Sequence, residues 1–152
     1  MTEANLYDSH VHSPFCGHTV GAVESFAWKA WRRNLKGLIF TCHNPMPDNY
    51  SPSTRMAEKD LPRYIQMVAG LREDFGKILD IRLGLECDFF PGFEDFLKEQ
   101  VKAQPYDYII GSVHPFFPEY RTRYKGKTPR ETQETYFDLL ALMPEIKDAM
   151  SL

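Results

Sequence analysis

Five histidines and one glutamate hold most of the chemistry written into this sequence. His10 and His12 close a short apolar opening, His18 follows six residues later, His43 ends a second apolar run and His114 ends a fourth. The third run ends in Glu86, and the 152 residues contain no other histidine. Imidazole nitrogen and carboxylate oxygen are ligands for zinc, manganese and iron. Such groups at four successive strand ends read as a centre for divalent metal ions, not as five scattered histidines.

Asp8, His10 and His12 alternate along the first predicted strand, where side chains at i, i+2 and i+4 share one face. Two histidines so spaced can grip one ion without any change in the backbone. Asp8, one step deeper, is either a ligand or an acceptor that fixes the tautomer of a ligating imidazole. His-x-His alone is a weak signal. Its combination with His18, His43, Glu86 and His114 is what makes the pattern specific.

These groups need strands to carry them and helices to brace the strands. Strand, helix and turn signals predict four strand–helix units. Leu6–His12 is a strand, followed by a helix with Val23, Phe26, Ala27 and Ala30 on one stripe. Gly37–Thr41 is an unbroken apolar strand of the kind buried on both faces. Asn44–Asp60 reads as a loop, and Leu61, Tyr64, Ile65 and Val68 open a second helix with Asp60 as N-cap and Pro62 in the first turn. Ile81–Phe90 is a third strand, Pro91-Gly92 a turn, and Phe93, Phe96, Leu97 and Val101 stripe a third helix. Tyr108–Val113 is a fourth strand. A basic loop follows, then a fourth helix striped by Tyr136, Leu139, Leu140 and Met143, with Pro144 breaking or restarting it.

Strands alternating with helices argue an α/β arrangement with a parallel sheet. A doubly wound sheet and a β/α barrel share that rhythm. Ligands at the end of every strand favour the barrel, where chemistry gathers at the C-terminal strand ends. Four units make half of one.

Composition excludes several classes. Apolar residues reach 43%, enough for a core, and the length suits one domain. A net charge of -3 with a pI near 5.9 carries no nucleic-acid footprint. No apolar run is long enough to cross a membrane, and the opening residues lack the pattern of a signal peptide. Cys16, Cys42 and Cys87 are too few and too widely spaced for a disulfide framework, which points to a reducing, cytoplasmic setting.

The sequence resembles the PHP family of metal-dependent phosphoesterases. The residues that carry the resemblance are Asp8-Ser9-His10-Val11-His12, Cys16-Gly17-His18, Thr41-Cys42-His43-Asn44-Pro45, Gly84-Leu85-Glu86 and Gly111-Ser112-Val113-His114. Leu83–Glu94 and Tyr106–His114 bring it closest to the histidinol-phosphatase branch. The resemblance implies the N-terminal half of a distorted β/α barrel with up to three divalent ions (zinc, manganese or iron) at its rim. By motif, His10, His12 and Glu86 would hold one ion, His18 and His43 a second, and Glu86 would bridge to a third held also by His114. The implied reaction is hydrolysis of a small phosphate ester, L-histidinol phosphate, in histidine biosynthesis. Asp8 and Glu86 are the expected catalytic carboxylates. The metals would supply the nucleophile by lowering the pKa of a bound water to about 7.

Two departures stand against the family pattern. Cys42 replaces the acidic residue that the family usually has before the histidine; it reads as a small buried residue or a soft ligand. The family also brings a further histidine and an Asp-x-His pair from its second half. The expectation is therefore that residues 1–152 form a PHP domain truncated on its C-terminal side, with each ion short of one ligand. A second polypeptide completing the site, self-association of open half-barrels, or a degenerate site are the alternatives. A PHP phosphodiesterase or nuclease, and a non-catalytic metal-binding interaction module, are the rival functions.

Among the remaining residues, Arg121 and Arg123 are candidates to bind the phosphate ahead of Lys125 and Lys127, because Arg offers a bidentate fork close to a strand end. Asn44 is a candidate to orient substrate. Gly17 is expected to turn His18 back toward the metals, and Cys16 to serve packing. Trp28 and Trp31 are expected between helix and sheet, and Arg32-Arg33 at a helix C-terminus.

Overall fold

β2, Gly37–Phe40, is buried at every position, as its unbroken Gly-Leu-Ile-Phe run requires. A computed structural model describes residues 6–47 and 50–143. Around β2 stand β1 (Tyr7–Val11), α1 (Glu24–Arg32), α2 (Leu61–Phe75), β3 (Asp80–Asp88), α3 (Glu94–Lys102), β4 (Tyr108–Ser112), α4 (Pro118–Tyr124) and α5 (Pro129–Ala141). The four strands form one sheet in the order β1-β2-β3-β4. β1 pairs parallel with β2 and β2 with β3; Tyr7 faces Gly37 and Leu38 faces Ile81. An irregularity between Asp8 and Val11 shifts the β1 register. A doubly wound sheet would reverse its strand order at a switch point. This sheet does not reverse, and the barrel-type expectation of successive β/α units holds.

By its internal contacts the chain divides into two compact units, Met1–Leu85 with Tyr106–Ile110, and Glu86–Pro105 with Gly111–Leu152. The division runs through β3 and β4. The first unit therefore holds β1, β2 and the entering halves of β3 and β4, and the second holds the ends of those two strands with α3, α4 and α5.

In the first unit, α2 buries Tyr64, Val68, Leu71 and Phe75, a spacing of four, three and four that stays on one helical face. Ala27 and Ala30 of α1 are buried, and their small size lets that helix approach the core cluster of Leu38, Phe40 and Ile81. Trp28 and Trp31 stay about half exposed. They meet each other edge-to-face at 5.7 Å, and Trp28 meets Phe75 of α2 at 5.1 Å. The expected helix–sheet packing is thus helix–helix packing. Asp60 precedes α2 without capping it; its carboxylate takes Arg63 at 3.0 Å. Asp107 ties the start of β4 to β3 by accepting the Leu83 amide at 2.7 Å, and pairs with Arg72 of α2.

The Tyr64 hydroxyl lies 2.7 Å from the Phe40 carbonyl and 2.8 Å from that of Gly84, and the Cys42 amide approaches its oxygen at 3.5 Å. One buried phenol thus ties β2 to β3 just before the strand end that carries His43. Tyr64→Phe keeps the ring and strands these groups. It is expected to cost about 1–3 kcal/mol, read as a lower midpoint in urea denaturation.

In the second unit the predicted basic loop is partly helical. Pro118 presets the first turn of α4, and Tyr120 is buried with its ring stacked on Phe90 at 4.7 Å. A helix was not legible there because Arg121, Arg123 and Lys125 leave only a single apolar anchor per turn. α5 starts earlier than its apolar stripe, at a full capping box in which Thr128 and Glu131 bond each other's backbone amides. Pro144 lies outside the described residues.

Candidate metal centre

The first unit gathers four of the five histidines. β1 carries His10, His12 follows directly on its last residue Val11, the turn after it presents His18, and the residues after β2 present His43. His12 stands in the middle, with ring centroids 5.1 Å from His10, 4.8 Å from His18 and 5.0 Å from His43. His18 and His43 are 4.7 Å apart. The Nε2 atoms of His10 and His12 are 3.2 Å apart. Ligand atoms of His12, His18 and His43 all lie within 4.8 Å of one another, and three imidazoles so close make a donor set suited to zinc or a similar ion. His43 is buried, His12 half-buried, and His10 and His18 exposed.

Behind His12 lies a cluster of Cys16, expected to serve packing, and Cys42, expected as a small buried residue or a soft ligand. Cys16 and Cys42 are buried, and their sulfurs lie within 4.8 Å of each other and of a His12 nitrogen. Cys42 Sγ accepts the Ser13 amide at 3.1 Å and meets Ser13 Oγ at 2.9 Å. Cys16 Sγ is 3.1 Å from His12 Nδ1. The hydrogen bond from Cys42 pulls the Cys16 thiol below its ordinary range, and burial pushes the Cys42 thiol up.

Asp8 is exposed on the face of His10 and His12, and its carboxylate accepts the His10 backbone amide at 3.5 Å. Its partner is thus main chain and no imidazole. Asn44 is fully buried. Its amide nitrogen faces the Pro45 carbonyl and Met46 sulfur, and its carbonyls take Arg55 Nη1 at 3.0 and 3.4 Å.

The second unit gathers Glu86, Asp88 and His114. His114 Nε2 lies 3.1 Å from Glu86 Oε1 and 3.1 Å from Asp88 Oδ1. Both carboxylates are buried, and Ser112 Oγ donates to Asp88 Oδ1. Burial by itself would lower the His114 pKa. The Asp88 and Glu86 carboxylates outweigh it and hold the ring protonated up to about 9. Two buried carboxylates around one imidazolium leave a net negative site, which a divalent cation could enter by displacing that proton. Asp88 went unnoticed in the sequence. The signal was there, because Glu86 and Asp88 are two apart on one strand and share a face. Arg121 and Arg123 are exposed on α4, and Arg123 acts at a distance to lower the Glu94 pKa behind the larger effect of the Gly92 amide.

A family model of the PHP domain matches residues 8–151. The chain belongs to the PHP family. It is 45% identical over 109 residues to the "probable histidinol-phosphatase" of Deinococcus radiodurans, covering 72% of this chain and 42% of that protein. It is 35% identical over 115 residues to the histidinol-phosphatase of Bacillus subtilis, covering 70% of this chain and 43% of that protein. Among solved structures it matches the histidinol phosphate phosphatase of Lactococcus lactis, determined with zinc, L-histidinol and phosphate, with a TM-score of 0.63 and 26% identity over 72% of this chain and 40% of that one. The chain therefore spans about two fifths of the length of these relatives. Among the described residues no helix is long and apolar enough to cross a membrane.

Proposed function

We propose that this PHP chain serves a metal-dependent phosphomonoesterase that hydrolyses L-histidinol phosphate to L-histidinol and phosphate. The observation that carries the reading is the gathering of His10, His12, His18 and His43 within ring distances of 4.7–5.1 Å in a family whose Lactococcus member binds zinc, L-histidinol and phosphate. The ligand sets implied by the resemblance belong to this proposal: His10, His12 and Glu86; His18 and His43; Glu86 with His114. To the last we add Asp88, whose carboxylate faces the same imidazole nitrogen.

Divalent cations held there would make a water acidic enough to attack at neutral pH and would neutralise phosphate charge. The chain's own part is to fix the donors. β1 carries His10 with His12 just past its end, Ser112 donates to Asp88, and the carboxylates of Glu86 and Asp88 both face His114. Arg121 and Arg123 would attract the phosphate dianion from the exposed face of α4, and Asn44 would act on the substrate only through the segment that its amide and Arg55 hold together.

The test is hydrolysis of L-histidinol phosphate by the zinc- or manganese-loaded chain, beside a nucleotide phosphodiester. Phosphate release from the monoester alone supports the reading. Cleavage of the diester alone would replace it with the nuclease reading, and bound metal without turnover of either would favour an interaction module. His43→Ala is expected to lower the zinc bound per chain and to weaken the remaining affinity by more than tenfold, about 1.4 kcal/mol or more. Elemental analysis after dialysis checks this.

A further inference from the structure

We propose that Cys16 is a positioning residue for two histidines at once. Its sulfur holds His12 and its backbone carbonyl holds His18, so that both rings keep their proton on Nδ1 and offer a bare Nε2. The inference rests on reading His12 and His18 as ligands, but its first test needs no metal.

The position of Cys16 is fixed before either histidine is considered. Residues Pro14–Cys16 form a single 3-10 turn after β1. Ser13 caps it by accepting the Phe15 amide, the Cys16 amide reaches the Ser13 carbonyl at 3.3 Å, and the Gly17 amide reaches that of Pro14 at 3.1 Å. Gly17 closes the turn at φ +74°, and a Cβ there would stand 2.8 Å from the Ser53 carbonyl oxygen. A side chain at 17 would meet both the left-handed backbone and that oxygen, so the turn has little freedom to move. Cys16 itself is 1% exposed.

From this turn two contacts run to two rings. The Cys16 carbonyl oxygen lies 3.0 Å from His18 Nδ1. A carbonyl only accepts, so a neutral His18 must carry its proton on Nδ1. The Cys16 sulfur lies 3.1 Å from His12 Nδ1, and its own proton has an acceptor elsewhere, the Ser13 carbonyl at 3.4 Å. Whether thiol or thiolate, the sulfur then accepts from Nδ1–H. On the far side of the ring, His12 Nε2 faces His10 Nε2 at 3.2 Å. With the His12 proton on Nδ1, that nitrogen is a lone pair, accepting from His10 in the free protein and available to a cation. Metal-binding histidines usually donate their second N–H to a carboxylate, carbonyl or water that sets the tautomer. Here a thiol and a peptide carbonyl of one residue do so.

The experiment is long-range proton–nitrogen NMR of the metal-free chain at alkaline pH. His12 and His18 are both expected as the Nδ1–H form. Cys16→Ala removes the sulfur and keeps the carbonyl, so His12 should shift toward Nε2–H while His18 stays as it was. Zinc affinity should weaken by about 10–100-fold. Cys16→Ser, which restores an acceptor, should recover much of the His12 signal. His12 found as Nε2–H in the unsubstituted chain would overturn the proposal, as would a Cys16→Ala variant with tautomer and affinity unchanged. If that variant does not fold, the tautomers of the unsubstituted chain decide alone. Failure of the unsubstituted chain to bind zinc, with both tautomers as expected, would sink the metal reading and leave the positioning intact.

Discussion

Glu86→Gln is expected to lower the catalytic efficiency toward L-histidinol phosphate by a factor on the order of 10²–10³, or about 3–4 kcal/mol, while leaving the fold in place. Glu86 is 2% exposed and its Oε1 lies 3.1 Å from His114 Nε2. Glutamine fills the same volume and its carbonyl can still accept from that ring. What it lacks is charge. With one buried carboxylate gone, the site around His114 falls from two negative groups to one, and a divalent cation loses its strongest attraction there. The proposed sharing of Glu86 between ions would make the effect larger than that of any single histidine. Three measurements separate the causes. Steady-state kinetics of the loaded variant should show the loss, zinc titration should show weaker binding, and a thermal melt without metal should stay within a few degrees of the parent. An active Glu86→Gln variant would remove Glu86 from the metal reading; a variant that melts far earlier would make its role structural.

What the sequence made legible follows from how strongly each residue depends on its neighbours. β2 was readable because four consecutive apolar or small residues leave no alternative to burial on both faces. Strand ends are legible to within two residues, and these ends carry the histidines that the structure brings together, His10, His12, His18 and His43. The sheet order could not be read from periodicity alone; the ligand positions argued for it. Three features escaped. α4 escaped because its helical signal is one buried tyrosine, Tyr120, and a proline start. Asp88 escaped because a carboxylate two residues past a stronger candidate looks like a polar strand end until Ser112 and His114 are seen beside it. Cys16 and Cys42 are each small and buried, and in the sequence each stands alone, Cys16 as a packing residue and Cys42 as a packing residue or a soft ligand. The chemistry lies in their meeting, across 26 positions of chain that no local pattern connects.

Asn44 and the two tryptophans show the same limit from the other side. An asparagine after a metal-type histidine invites a role with substrate, yet its amide is spent on Pro45, Met46 and Arg55. Burial decided this, and burial of a polar side chain is set by distant partners. Trp28 and Trp31 have the size for a core position. α1 instead turns its alanines inward, because only small residues let the helix come close to the sheet.

Zinc affinity at the Glu86, Asp88 and His114 cluster is expected to fall by about tenfold for each pH unit below 9, and not to wait for the ordinary histidine range near 6.5. An imidazole must lose its proton before it can ligate. From sequence alone that loss would be placed near 6.5. The two carboxylates facing His114 raise its pKa to about 9 against the opposing effect of burial, so at pH 7 the cation already competes with a bound proton. Two units of acidification from 9 should therefore weaken binding by about 100-fold. Stability of the metal-free chain should move the other way. A pKa higher in the folded than in the unfolded state favours folding. The contribution is complete below about 6.5 and is lost as the pH rises through about 9. Raising the pH thus tightens zinc and softens the empty protein, and zinc should restore the melting temperature most at alkaline pH. Competition titration against a chromophoric chelator, paired with melts with and without zinc, tests both halves. In Glu86→Gln the break in affinity should slide down toward the ordinary histidine value, since one of the two charges that hold the proton is gone. Flat affinity from pH 9 to 7 in the unsubstituted chain, or a break that Glu86→Gln leaves where it was, would show that His114 does not ligate.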